Sequence, residues 1–137
     1  MTSWLPVLAP MGVLATALYL LVLGGAALAR PALAETFLGG FVSSATTHFL
    51  EIALRILAGL SLVLAAPQMQ GTPIISTLGW ILIGTSLVLA VLPWRFHRRF
   101  AVWSVPRATQ HLPAIGIVST AAGCALLTAL WLPRAAG

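Results

Sequence analysis

The chain has 137 residues, of which 60% are hydrophobic and only 7% charged, and its formal net charge is +5. A soluble domain carries about 25% charged residues, so this composition cannot cover a water-facing surface and excludes an ordinary water-soluble fold. Four of the seven cations, all arginine, crowd into one stretch between apolar runs, and no RNP, zinc-finger or helix-turn-helix signature occurs, so no nucleic-acid partner is expected.

The opening "MTSWLPVLAPMG" has no basic segment ahead of its apolar run. A cleaved signal peptide needs one, so the first run is expected to stay as a membrane helix. Spanning the hydrocarbon core takes about 20 apolar residues in helical form. Four runs qualify, at 7–29, 48–66, 74–92 and 113–132. Each is closed by a proline just beyond it, at Pro31, Pro67, Pro93 and Pro133, which cannot continue the helical hydrogen-bond ladder. Pro10 falls near the start of the first run, where it is tolerated or marks the true start. Membrane strands need only about 9–11 alternating residues, and these runs are longer and do not alternate. The expected architecture is an all-α, integral membrane four-helix bundle, with residues 1–137 forming a single transmembrane domain.

Between the first two spans, residues 30–47 include Phe37, Phe41 and the Gly39-Gly40 pair. This segment is too short and broken to span, and it is expected to lie at the interface or to re-enter shallowly. The second link, "PQMQGTP", is tight and uncharged. The third, 94–112, is the most polar part of the chain. There Phe96, Phe100 and Trp103 recur at i, i+4 and i+7, with Arg95, Arg98 and Arg99 around other faces. This spacing predicts an amphipathic turn or two lying on a leaflet, attracted to anionic lipid headgroups. The stretches "ILAGLSLVLA" (56–65) and "ILIGTSLVLA" (81–90) match at eight of ten positions. The echo fits either an old duplication or the short alphabet of membrane helices, and it is compatible with two antiparallel rods.

Cytoplasmic loops collect Lys and Arg. Arg30, Arg95, Arg98, Arg99 and Arg107 fall on one side of a four-span arrangement and only Arg134 on the other. Both termini are therefore expected outside, periplasmic in a bacterium, and both long loops in the cytoplasm. Trp4 and Trp131 at one boundary and Trp94 at the other agree, because indole rings favour headgroup depth.

Glu51 and Arg55 are charges inside the second apolar run. With a helix starting at residue 48, they lie about 5 and 10 Å in. Glu four residues before Arg is the favourable order for an intrahelical pair. Arg55 can snorkel back towards the headgroups, and the helix N-terminus favours an anion at Glu51. The pair is accounted for as an anchor, and the sharper reading makes Glu51, Arg55 and His48 a ligand- or partner-gripping feature. His48, His97 and His111 all fall near the same boundary. With Glu51 they are conceivable metal ligands, and His48 and His111 conceivable haem ligands. No HxxH or HxxxH spacing supports this, so no metal or cofactor is expected. In the last span Gly116, Thr120, Gly123 and Cys124 mark a small-residue packing face, directed either within the chain or to a second copy or a larger membrane complex. There is no aspartate, no nucleophile–base–orienter set and no phosphate-binding glycine pattern, so enzymatic activity is not expected.

Positions 79–132, "GWILIGTSLVLAVLPWRFHRRF" followed by "LPAIGIVSTAAG", resemble small uncharacterised bacterial inner-membrane proteins. In these an apolar helix ends at a proline, a Trp-Arg-rich turn follows and a Gly-containing helix returns. The resemblance covers the last two-fifths of the chain and implies no activity. Size and span number are also similar to small multidrug exporters. Those carry an acidic residue in their first helix, and here none occurs between Met1 and Ala29, so that function is not carried over. The expectation is an accessory, assembly or scaffold subunit of a membrane complex, with a small solute or ion transporter or channel using Glu51 and Arg55 as the alternative.

Overall fold

The computed structural model describes residues 4–40 and 43–132. Phe41 and the tail with Pro133 and Arg134 lie outside the described residues. Every described element is helical: α1 (Leu5–Ala29), α2 (Pro31–Gly40), α3 (Ala45–Ala65), a 3-10 turn (Ala66–Gln68), α4 (Thr72–Val91), α5 (Trp94–Thr109) and α6 (Leu112–Trp131). Four of them, α1, α3 with its 3-10 extension, α4 and α6, are long and apolar enough to cross a membrane. Side chains along them point outwards without a partner, such as Val22 and Val88, at 72% and 66% exposure. Hydrocarbon can cover such faces, and helices suit it because their backbone groups are paired internally.

The spans pack through three main interfaces, α1 on α6, α3 on α4 and α1 on α3. Lipid tails are as apolar as leucine, so helices associate where small residues let backbones approach. Gly24 and Gly116 face one another across α1 and α6: a Cβ on either would come within 2.9 or 3.1 Å of the other's carbonyl oxygen. Gly59 and Gly79 repeat the arrangement across α3 and α4, at 2.9 and 2.8 Å. At one end Ala9, Val13, Leu62, Ala65, Met69 and Ile75 form a buried cluster, with Leu126, Ala129 and Leu130 packed against it. The link into α4 is pinned there. Gly71 takes a left-handed φ of 74°, the Thr72 hydroxyl donates to the Ala66 and Met69 carbonyls, and the Gln70 N–H donates to the Ala129 carbonyl. At the other end, called the basic end below, Ala27, Ala34 and Leu112 bring α1, α2 and α6 together.

Local details are refined, and two expectations, the length of the 94–112 helix and the start of α3, change. Pro10 lies inside α1 rather than at its start, and Pro6 occupies the first turn, where a missing N–H costs nothing. Within the 30–47 segment, Pro31–Gly40 form α2, a short helix packed on α1, and residues 45–47 open α3. The 94–112 link forms a 16-residue helix rather than one or two turns. Helix α3 starts three residues earlier than the apolar run, because Ser44 and Thr47 make a capping box. The Ser44 side chain accepts from the Thr47 N–H, and the Thr47 hydroxyl accepts from the Ser44 N–H. Such a cap satisfies two otherwise orphaned donors.

Candidate functional site

The early start of α3 moves its charges inwards. Counted from Ala45, the Cα atoms of Glu51 and Arg55 lie about 9 and 15 Å along the axis, and the Arg55 side chain turns back towards Glu51, so the guanidinium stands in the half of the span nearest the basic end. Its donors are engaged inside the protein. Nη1 lies 3.6 Å from Glu51 Oε1, Nε donates to Ser86 Oγ at 3.2 Å, and Nη2 donates to Thr85 Oγ1 at 3.0 Å. Both hydroxyls pass their own protons to carbonyls one turn back on α4, which leaves their lone pairs free to accept. Arg55 thus turns back towards the basic end and bridges α3 to α4. The pair is partly covered, at 33% exposure for Arg55 and 25% for Glu51.

One turn before Glu51, His48 lies on the same side of α3 and is 1% exposed. The first turn of α5 lowers His97, 8% exposed, onto it, with ring centroids 4.0 Å apart. Trp94 closes over His48 at 5.1 Å, and Phe49 flanks it at 5.4 Å. Proline at position 93 positions this turn, since it ends α4 at Val91 and stands as the N-cap of α5. The Nδ1 atoms of both histidines are buried without a hydrogen-bond partner. Burial, the adjacent His48 and the Arg55 guanidinium hold the His97 imidazole below the ordinary histidine range, against the opposing pull of the Glu51 carboxylate. His97 is therefore neutral at pH 7.

The fold brings together His48, Glu51 and Arg55 with His97, already named beside them as a conceivable ligand, and it adds Thr85 and Ser86, which were not among the expected site residues. No short-range signal announces these two, which look like ordinary small residues of a span. His111 ends up as the exposed N-cap of α6, outside the cluster, so it does not join His48. In α6, Gly116 and Gly123 face α1, where a Cβ would press on Leu28 and on Leu21 and the Ala17 carbonyl, and Thr120 abuts Gly24. Cys124 points away from that seam and is exposed.

The remaining basic residues line α5. Arg95, Arg98 and Arg99 are exposed, as are Phe96, Phe100 and Trp103, while His97 and Ala101 face the bundle. Arg107 lies over the Trp103 ring at 4.1 Å and donates to the Trp103 carbonyl. Apolar clefts open on the surface of the described residues. One, of about 430 Å³ between α1 and α2, is lined by Leu18, Tyr19, Val22 and Phe37 among others. Another lies along Pro73, Ile74, Thr77 and Leu78. Neither is lined by Glu51, Arg55 or the two buried histidines.

Fold and cluster together define a small all-α, multi-pass membrane protein with one polar centre near its basic end. Comparison of the chain with protein-family models, with curated proteins and with solved structures finds no match.

Proposed function

We propose that this protein is a non-enzymatic accessory, assembly or scaffold subunit of a larger complex in a bacterial inner membrane. The observation that carries this reading is the closure of Arg55 on Glu51, Thr85 and Ser86. A carrier needs a charged or polar group that can exchange its partner for a substrate or proton, along a route through the bilayer. Here the guanidinium is committed to groups that lock two helices. Among the described residues of the spans, Glu51 and Arg55 are the only charges. Affinity purification of the tagged chain in mild detergent is expected to recover a stoichiometric membrane partner or a defined homo-oligomer. A small transporter is the second reading, favoured by the presence of an ionisable pair within a span. Solute or ion flux in proteoliposomes that disappears with Glu51→Gln would replace the first reading with this one.

The basic end is proposed to face the cytoplasm, with both termini periplasmic. Arg30 and the α5 arginines supply the positive-inside bias, and anionic headgroups are the partner proposed for α5, each nearby cation contributing about 1 kcal/mol. A reporter active only outside the cytoplasm, fused after Gly137, is expected to be active. Activity of a cytoplasm-only reporter at that position would reverse the orientation.

A further inference from the structure

We propose that His48, Glu51 and His97 form a binding site for one divalent first-row transition-metal ion, of which Zn2+ is the type case. The inference is independent of any partner, since all three ligands come from one chain. Residues three apart share a helix face, so His48 and Glu51 project together from α3. His97 descends from α5, and one ligand atom from each of the three lies within 4.8 Å of the other two.

Three atoms bound to one tetrahedral ion at 2.0–2.1 Å stand about 3.3 Å apart. Side-chain rotations that close roughly 1.5 Å complete the site without moving a helix.

Buried nitrogens in native proteins nearly always have a partner. Here two imidazole Nδ1 atoms from different helices lack one at the same spot, although the rings are almost fully enclosed. A cation coordinated by imidazole removes that deficit, and a hydrogen bond between the rings is not made. Two nitrogens and one carboxylate oxygen suit borderline ions such as Zn2+, Co2+, Ni2+ or Fe2+, whereas Mg2+ and Ca2+ take all-oxygen shells. Arg55 reaches Oε1 of Glu51, which leaves the second carboxylate oxygen for the ion. Arg55 thereby acts as a positioning residue, orienting the ligand through an outer ion pair as outer-shell partners do in metal sites. Three protein ligands leave a fourth position for water or a small anion.

The test uses the full chain, purified in detergent, with any tag removed and metal stripped by chelation. Calorimetric titration with Zn2+ is expected to show saturable binding of one ion per chain. Binding is expected to weaken by at least about tenfold in each of His48→Gln and His97→Gln, with no change in His111→Gln. X-ray absorption of the Zn2+-loaded wild-type protein is expected to count two imidazoles, and this reading survives even if a histidine variant fails to fold. Absence of saturable binding, an imidazole count other than two, or loss of binding in His111→Gln would overturn the site.

Discussion

Replacing Gly59 with valine is expected to cost about 2–4 kcal/mol of unfolding free energy and to detach α4 from α3. A Cβ at this position meets Ile83 Cγ1 at 2.7 Å, the Gly79 carbonyl oxygen at 2.9 Å and the Ile83 nitrogen at 3.3 Å. The isoleucine tip can turn aside, but the two backbone atoms belong to a helix and move only with it. Overpacking of a tight interior costs about 1–3 kcal/mol, and valine adds two methyls beyond the Cβ. Gly84 is the internal control. It occupies the matching place in the sequence echo, yet nothing lies within 4 Å of its Cβ position. Gly84→Ala is expected to be neutral or to stabilise by up to about 1 kcal/mol, since glycine is a poor helix former. Equilibrium unfolding in mixed micelles, followed by far-ultraviolet circular dichroism, separates the two cases. Equal effects at Gly59 and Gly84 would contradict the α3–α4 seam.

Arg55→Leu is expected to be more damaging than Glu51→Gln, although each breaks the same ion pair. Removing the guanidinium leaves the Glu51 carboxylate in the span with no cation, and it deprives Ser86 and Thr85 of their donor. A lone charge costs about 2.5–3.5 kcal/mol at the centre of a span and less towards its end, so with the two hydroxyl contacts also lost a loss of about 2–3 kcal/mol is expected. Glu51→Gln keeps both hydroxyl contacts of Arg55, and a loss nearer 1 kcal/mol is expected by comparison with hydrogen-bond deletions. The double variant is expected to recover part of the Arg55→Leu loss, because it removes both charges together. A strictly additive double-mutant cycle in the same unfolding assay would mean that the pair is not coupled. The cycle also bears on function. A lock between α3 and α4 predicts that stability and abundance fall together, whereas a transport group would lose flux while the protein stays folded.

The spans themselves were legible because transfer into hydrocarbon is a sum over residues along one helix. The runs at 74–92 and 113–132 differ from α4 and α6 by no more than two residues at an end. Where the expected boundary was wrong, polar side chains had entered the helix: at α3 the Ser44–Thr47 box recruits Ala45 and two threonines that a hydropathy run omits. The α5 helix was underestimated for a related reason. Its arginines mask an apolar face that has meaning only once the bundle supplies a surface for His97 and Ala101.

The amino-acid sequence by itself determined the solvent of this protein, its four crossings and the concentration of arginine at one end, because each depends on residue type summed over local stretches. Tertiary structure alone decided that Gly59 is a contact and its sequence twin Gly84 is not, that Arg55 closes on Thr85 and Ser86, and that His97 meets His48 and Glu51. These are relations between separate helices, fixed by the rotation of each rod about its axis and by which faces reach contact. A single span buries its small residues against any neighbour equally well until the neighbour's own surface selects one register.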